Sequence, residues 1–362
     1  MAILQKDGAR PFGKQTQFFE DMVRYYNTPQ IQLLFFTPYD WDNDATTLRG
    51  LIFMNGCWQS DTVQKPTLVY DRSFSRDEKE KIWLNDFRHS LSDQGVSLFN
   101  PVAIQELATD KYKCAVWQES QGFTLLKTSP LSQVLSGNSE GIDWLYLKPR
   151  SGSRGIGVMK LHRIEGQYRL YYDQTRFKDF TSTESLAKHL GTFTVTDYIA
   201  QEEALLYKFR QVPFDLRLMV QDVNGNFSVT GEAIRLGNKG SIVSNLSAGG
   251  AAISLAELLD EMSETEAIQI TSELIQARED CLAFANALKA DFGSFAELGF
   301  DILLTRDKGP VILEVNAKPS RWVFVQIADH EEQKGHDPTP YLDMRKKTVL
   351  YPIAYAERVL LG

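Results

Sequence analysis

Apolar residues recur along this chain with two periods, and the switches between them mark out its elements. At residues 14–27, Phe18, Phe19, Met22, Val23 and Tyr26 share one face, which predicts an amphipathic helix. The apolar runs at 31–36, 51–54, 67–70 and 96–99 are of strand length, the last closed by Asn100-Pro101. Residues 77–92 predict a helix with an acidic first turn and with Ile82, Trp83, Phe87 and Leu91 turned inward. Helix alternating with strand over about a hundred residues predicts an open N-terminal α/β layer domain, residues 1–108. Its aromatics read as packing and Arg72 as a solvated or capping charge, with no catalytic constellation in view.

Beyond Pro101 the texture changes. Residues 104–117 read as helical, 123–126 and 144–147 as strands, 168–172 as another strand, and 183–190 as a short helix. A strand at 193–200 runs into Gln201-Glu202-Glu203-Ala204-Leu205-Leu206. Two alternating runs, 216–222 and 227–236, flank Asn224-Gly225-Asn226, a strong hairpin signal. Residues 254–288 are helical with a break near Ser263, and 298–304 and 311–315 form a second hairpin around 306–309. There is no internal repeat and no low-complexity stretch.

Composition narrows the classes. The 362 residues suffice for two or three compact units, and 43% hydrophobic with 24% charged residues describes an ordinary folded chain. A net charge of −8 argues against nonspecific nucleic-acid binding, although a local basic pocket is compatible with it. No apolar run approaches the roughly 18 residues of a spanning helix, and residues 1–13 lack the apolar core of a signal peptide. Cys57, Cys114 and Cys281 lie far apart, and the five histidines show no HExxH spacing, so cytosolic synthesis is the expectation.

Two stretches carry chemistry. In WLYLKPRSGSRGIGVMK, residues 144–160, a strand ends at Lys148-Pro149, glycines follow at 152, 155 and 157, and Val158-Met159 resumes the strand pattern. Glycine admits positive φ, so successive N–H groups can turn around an anion, with the lysine as a point charge. A hairpin with a Gly-rich turn accounts for the same pattern, and the loop fits neither a Walker nor a dinucleotide fingerprint. In the last hairpin, Glu314 and Asn316 share a face, and Asp301 lies opposite them if the strands pair. Two carboxylates and an amide oxygen are hard ligands of the kind Mg2+ takes with phosphate oxygens.

Lys148 before SGSRGIGV, the hinge-like QEEALL, Asp215-Leu216-Arg217, and GFDILL followed by ILEVNAKPS together resemble the ATP-grasp superfamily from about Lys111 to Arg321. YLKPRSGSRGIGVMKL with the upstream VYDR resembles its endospore coat-associated YheC/YheD-type subgroup. The resemblance implies a two-subdomain ATP-grasp module after the N-terminal domain, subdomain A at 109–197 and subdomain B at 198–362. It implies a phosphate lid of Gly152, Ser153, Gly155 and Gly157, with Lys148 on the phosphates. Lys111 is the second phosphate lysine, with Lys113 and Lys127 as competitors. Gln201, Glu202, Glu203 and Leu205 fall on a hinge reading adenine, and Asp301, Glu314 and Asn316 on two Mg2+ sites. Arg217 and Asn245 are implied at the transferred phosphoryl group, helped by Arg235. Some relatives carry an arginine two residues before the metal aspartate. Here that position is Gly299, which makes Arg321 the candidate substrate arginine. Arg150 and Arg154 in the loop bind an acidic substrate or are solvated.

The activity so implied is an ATP- and Mg2+-dependent carboxylate–amine ligase working through an acyl phosphate. Its partners are a small-molecule or peptide carboxylate and an amine, with no nucleic acid and no membrane span. A nucleotide-binding spore-coat assembly protein without turnover and an ATP-grasp kinase are the alternatives. A cytoplasmic or coat-associated location follows, while oligomeric state and substrates are not legible.

Overall fold

A computed structural model describes residues 10–27, 29–75, 77–136, 143–152, 155–164, 166–173, 175–237 and 251–362, with only the backbone described at Thr192 and Phe193. The first amphipathic stretch forms α1 (Thr16–Tyr25), burying Phe19 and Met22. The predicted strand at 31–36 does not form. It makes one bridge, Phe35 to Leu51; Ile31, Leu33 and Phe35 join the cluster around α1, while Leu34 and Phe36 pack in another with Leu48 and Leu91. Pairing goes instead to the hairpin β1 (Thr47–Met54) and β2 (Cys57–Gln64), turned through Asn55 and Gly56 at positive φ. Beyond it, β3 (Leu68–Tyr70) and β4 (Ser97–Phe99) pair in parallel, linked by α2 (Glu78–Asp93), whose N-cap Asp77 accepts from the Glu80 N–H at 2.9 Å. On α2, Leu84 and Leu91 are buried. Ile82 is 64% exposed and Trp83 stacks on Tyr39, so the inward face is rotated from the expected one. The first hundred residues hold one βαβ unit beside a hairpin, not a continuous α/β layer.

The helical stretch after Pro101 splits into α3 (Val102–Thr109) and α4 (Lys111–Ser120) at Asp110, whose carboxylate caps α4 by accepting from the Tyr112 and Lys113 N–H groups, each at 3.1 Å. Trp117 of α4 packs edge-on against Phe284, 4.8 Å between ring centres, which places this helix with the C-terminal body and not with the 109–197 unit expected from sequence.

A first sheet follows, from β5 (Thr128–Pro130), β6 (Trp144–Pro149), β7 (Met159–Ile164), β8 (Gln167–Tyr171), β9 (Phe177–Phe180) and β10 (Tyr198–Glu202), in the order β5-β10-β6-β7-β8-β9. Residues 123–126 form no strand, and 193–197 continue the helix α6 (Thr183–Asp197) past a kink at Gly191. Period-two alternation sorts the side chains of this sheet. Leu145, Leu147, Leu161 and Leu170 pack in one cluster with residues of α5 (Leu131–Leu135) and α6, leaving Tyr146, Lys148 and Lys160 on the opposite face.

The second sheet has the order β14-β13-β12-β15-β16, with β11 (Lys208–Phe209) beside β12 (Val212–Val223). The hairpin of β12 and β13 (Asn226–Leu236) turns at Asn224 and Gly225, both at positive φ, and β14 (Ala252–Ile253) pairs on its outer edge. Ser254 caps α7 (Leu255–Asp260) and Ser263 caps α8 (Glu264–Phe292), the break expected from the sequence. β15 (Glu297–Thr305) and β16 (Gly309–Asn316) form the last hairpin. Leu216, Leu218, Val220, Leu298, Phe300 and Ile302 pack on α8, so Arg217, Gly299 and Asp301 face the other way. The helices α9 (Trp322–Gln333) and α10 (Thr339–Leu361) complete the chain. Val349 and Ile353 of α10 pack with Phe19 and Met22 of α1, tying the C-terminal helix to the N-terminal region. No helix among the described residues is long and apolar enough to cross a membrane.

A buried ionic network fastens the two ends together. Glu297, fully buried, accepts from the Tyr70 hydroxyl at 2.5 Å, from Gln221 at 2.9 Å, and from Arg321, with Arg72 at 3.4 Å. Removing one partner of a buried pair leaves a charge with neither water nor counter-ion. Arg321→Leu is expected to lower stability by about 3–5 kcal/mol, read as a shift of the urea midpoint at unchanged slope.

Candidate active site

Between the two sheets lies a cleft of about 1030 Å³. The first sheet lines it with Tyr146, Lys148 and Lys160, the second with Asp215, Arg235, Asp301, Leu303 and Glu314, and α4 with Lys111. Its charged floor follows from strand register. Arg217 pairs across to Asp301, and Asp301 to Glu314, so three charged positions form one row over β12, β15 and β16. Asn316 lies opposite Gly299, one step along the same face.

The row is closed by ion pairs. The Arg217 Nε sits 2.5 Å from one Asp301 oxygen, and the Arg235 Nη2 3.0 Å from the other. Arg235 also holds Asp215 through its Nε at 2.5 Å. Burial works against the Asp301 carboxylate, but Arg217 and Arg235 outweigh it and keep its pKa below the usual carboxylate range. Glu314 is differently placed. Its nearest ion-pair partner is the Lys111 Nζ at 3.8 Å, and burial raises its pKa. The Asn316 amide nitrogen is buried without a hydrogen-bond partner. A carboxylate at ion-pair but not hydrogen-bond distance from its cation, a fixed Asp301 and the side-chain oxygen of Asn316 along the same row make an oxygen donor set that fits a hard divalent cation, while the unpaired Asn316 nitrogen is a donor for an acceptor such as a phosphate oxygen.

Lysines approach from the other side. The Lys148 Nζ donates to the Gln201 side-chain oxygen at 2.7 Å, and Gln201 in turn donates to the Thr128 hydroxyl at 3.0 Å. Burial lowers the Lys148 pKa to about 8, with Glu314 opposing and Lys111 adding to the shift. The Lys111 Nζ donates to the Gly152 carbonyl at 2.6 Å. Lys113 and Lys127 are exposed and outside the cleft, so of the three sequence candidates only Lys111 faces it. Gly152, Gly155 and Gly157 all have positive φ. At Gly157 φ is +76°, and an added Cβ would lie 2.6 Å from the Tyr198 hydroxyl, so both backbone and space favour glycine. The loop is the hairpin connection of β6 and β7, and its Gly152 and Gly155 line the cleft with Lys111 and Lys148.

Residues 131–342, more than half of the sequence and the part that carries the loop, the row and the hinge, match the family described as YheC/D like ATP-grasp. The chain belongs to that family. It is 24% identical over 329 residues to the endospore coat-associated protein YheD of Bacillus subtilis (strain 168), covering 87% of this chain and 70% of that one. To YheC of the same organism it is 23% identical over 332 residues, covering 84% and 85%. Among solved structures it is similar to D-alanyl-alanine synthetase A from Vibrio cholerae O1, with 13% identity, a TM-score of 0.48, and 93% and 95% of the two chains covered.

In this YheC/D like ATP-grasp chain the hinge is partly spent on itself. The Glu202 N–H donates to the Lys127 carbonyl at 3.0 Å and the Glu203 N–H to that of Trp144 at 3.2 Å. The Glu202 side chain accepts from the Lys127 N–H at 2.8 Å and pairs with Lys308, while Glu203 takes Lys160 at 2.7 Å, whose ammonium lies 4.1 Å from the Trp144 ring centre. Gln201 sits in β10 and its side chain holds Lys148. The N–H groups of Ala204 and Leu205 have no backbone partner among the described residues.

Other sequence candidates lie elsewhere. Arg321 is not a substrate arginine of the cleft: it is 3% exposed and bonded to Glu297, Pro319 and Thr348. Arg72 is neither solvated nor a cap, because it is buried on Glu297 and the Pro319 carbonyl. Arg150 clamps Asp110 through two nitrogens at 2.8–3.1 Å, fixing the start of α4 and thereby Lys111. Gly299 is set by packing, since a Cβ there would meet the Pro319 Cβ at 2.7 Å. Ser153, Arg154 and Asn245 lie outside the described residues. Sequence reasoning missed Asp215 and the Lys160–Glu203 pair. The first had a signal in Asp215-Leu216-Arg217, where period two places both charges on one face.

The lowered Lys148 pKa gives a pH dependence of definite sign. Its ammonium is present below about pH 8 and fades above it. An anion bound beside it restores the proton. ADP binding between pH 8 and 9.5 should take up close to one proton and weaken by up to about tenfold per pH unit. Calorimetry in two buffers of different ionisation heat checks this, and the absence of uptake would remove Lys148 from the phosphate site.

Proposed function

We propose that this chain is an ATP- and Mg2+-dependent carboxylate–amine ligase. One observation carries the reading: Lys111, from α4, stands 3.8 Å from Glu314 of the second sheet and 2.6 Å from the Gly152 carbonyl of the first. Lys148 is close enough to both for their charges to shift its titration. Two lysines, a glycine loop and a carboxylate row therefore face one volume, the arrangement needed to position a triphosphate and counter its charge.

Asp301, Glu314 and Asn316 would hold the Mg2+, two ions in our reading. Bound there, the metal supplies positive charge to the phosphate oxygens and orients the terminal phosphoryl group. Lys148, oriented by Gln201, and Lys111, oriented through the Asp110–Arg150 clamp, hold the phosphates from above. Arg217 anchors Asp301 in its ionised form and turns the rest of its guanidinium to the transferred group. Asn245 is assigned to the same group from sequence alone. Arg235 is a positioning residue between Asp215 and Asp301. The free N–H groups of Ala204 and Leu205 suit the base edge, with Leu205, Leu206 and Leu303 along the apolar end of the cleft. In the reaction a carboxylate oxygen attacks the γ-phosphorus and ADP leaves. An amine then attacks the acyl phosphate and expels inorganic phosphate, giving the amide. Closing the glycine loop keeps water from the acyl phosphate.

The two Bacillus relatives are named for the endospore coat. That favours, as a second reading, a coat-associated protein that holds nucleotide without turnover. Incubation with ATP, Mg2+ and pools of amino acids and short peptides separates the possibilities. ADP released only with both a carboxylate and an amine supports the ligase, ADP with a single acceptor indicates a kinase, and binding without ADP indicates the scaffold.

Two substitutions test the assignments. Glu314→Gln should reduce Mg2+-dependent ATP consumption by about a hundredfold or more with an unchanged circular dichroism spectrum, and near-normal turnover would sink the metal assignment. Lys148→Ala should abolish nucleotide-induced thermal stabilisation, worth about 2.7 kcal/mol at a hundredfold excess over Kd. An unchanged shift would place the phosphates elsewhere.

A further inference from the structure

A second cationic cluster lies beyond the metal end of β16, on the side of the N-terminal region. Two residues past Asn316, the Lys318 Nζ donates to an Asp71 oxygen at 2.8 Å and to the Ser73 carbonyl at 2.7 Å. Arg88 of α2 reaches the same two acceptors, its Nε on Asp71 at 2.7 Å and its Nη2 on the Ser73 carbonyl at 3.1 Å. The Asp71 side chain is wholly inaccessible, whereas those of Lys318 and Arg88 keep 20% and 12% of their surface. Both Asp71 oxygens are satisfied, because the Ser73 N–H and hydroxyl take the other at 2.8 and 2.6 Å. Two basic side chains thus share one buried carboxylate, and burial, opposed by Asp71, lowers the Lys318 pKa to about 7.

The cluster is built into the frame. Asn100 donates to the Ala317 carbonyl at 2.8 Å and Arg72 to that of Pro319 at 3.1 Å, so the N-terminal region grips the loop on both sides of Lys318. Pro319 seats on β15 at Gly299, two residues before Asp301. The lysine is therefore fixed two residues past Asn316, and its hydrogen bonds go to Asp71 and Ser73, neither of which lines the nucleotide cleft. Phe74, next to Ser73, and Trp322, at the start of α9, are 51% and 60% exposed. They place apolar surface close in sequence to the cluster.

We infer that Lys318 and Arg88 form a subsite for a carboxylate that does not react, carried by the amine substrate, which makes that substrate an α-amino acid or a peptide. The inference rests on the ligase reading of the cleft. Lys111, Lys148, Arg217 and the metal already serve the phosphates and the reacting carboxylate. A separate cation pair on the opposite flank suits the second anion that an amino acid brings and a simple amine lacks. The ionic cost of ordering Lys318 and Arg88 is met by Asp71 beforehand, so the subsite is preorganised.

The test compares each of the twenty common amino acids and a set of dipeptides with its own C-terminal amide, by thermal shift of the full chain in saturating ADP and Mg2+. At least one acid should stabilise the protein where its amide does not. Lys318→Gln and Arg88→Gln should each lose that difference, with Kd for the acid raised tenfold or more, while keeping the shift due to ADP. Arg88→Gln leaves Asp71 with Lys318 and Ser73, so it remains informative if Lys318→Gln misfolds. Acids and amides that behave alike across the panel, or an acid-specific shift that survives both substitutions, would overturn the subsite. Loss of the ADP shift in the unsubstituted protein would instead overturn the nucleotide reading, while the acid–amide comparison still decides the subsite.

Discussion

The cleft depends on the pairing register of three antiparallel strands. With Arg217 opposite Asp301 and Asp301 opposite Glu314, charges fall in one row on one face. A one-residue slip in any pair would turn a member of the row into the core packed on α8. Burying an unpaired carboxylate costs several kcal/mol, and an ion pair at contact distance returns about 4 kcal/mol at the effective dielectric of such sites. Asp301 is held by two guanidiniums and stays ionised, while Glu314, with only a lysine at 3.8 Å, does not gain enough to offset its burial. The floor is therefore uneven by construction: one carboxylate is fixed, and its neighbour is left wanting a cation.

The same strand supplies the joint that makes this floor rigid. Glu297 and Asp301 are four apart on β15 and so point to the same face, one into the N-terminal region and the other into the cleft. Arg321 and Arg72 close on Glu297, and the loop that carries Lys318 lies between them. Stability and site geometry share a strand, so the second sheet acts as an anvil against which the first sheet brings its lysines.

How much of this was legible depended on whether a residue's partners are near it in sequence. The two C-terminal hairpins were readable because Asn224-Gly225 and clean alternation specify them locally. The serine caps of α7 and α8 likewise marked the break between those helices. The strand β2, CWQSDTVQ, is polar along both faces and gave no periodic signal. Ile31 to Phe36 has the composition of a strand, but its side chains divide between the cluster of α1 and α10 and that of α2, and tertiary packing overrode propensity. The site followed the same rule. Lys148, Gly152, Gly155, Asp301 and Glu314 are specified by local pattern and line the cleft together, with Asn316 one step further along the row. Arg321 was misplaced because its partner Glu297 is brought to it by the sheet, and nothing near position 321 announces that contact. Arg150 looked like a spare loop charge for the same reason, since Asp110 lies forty residues upstream.

Charge in the cleft explains why loop, lysines and metal ligands have to act together. Lys111, Lys148, Arg217 and Arg235 face Asp215, Asp301 and Glu314, a positive surplus of one that Lys160 and Lys208 against Asp143, Glu202 and Glu203 cancel. A triphosphate brings more negative charge than that balance offsets, so divalent cations are required at the carboxylate row if the site is to hold one. Lys111 meanwhile spends its ammonium on the neutral Gly152 carbonyl. Charge-assisted bonds to a phosphate are roughly twice as strong as those to a neutral acceptor. On the ligase reading a phosphate would take the lysine from the Gly152 carbonyl, while the Arg150–Asp110 clamp and the bond from the Lys111 N–H to the Arg150 carbonyl hold the start of α4 in place.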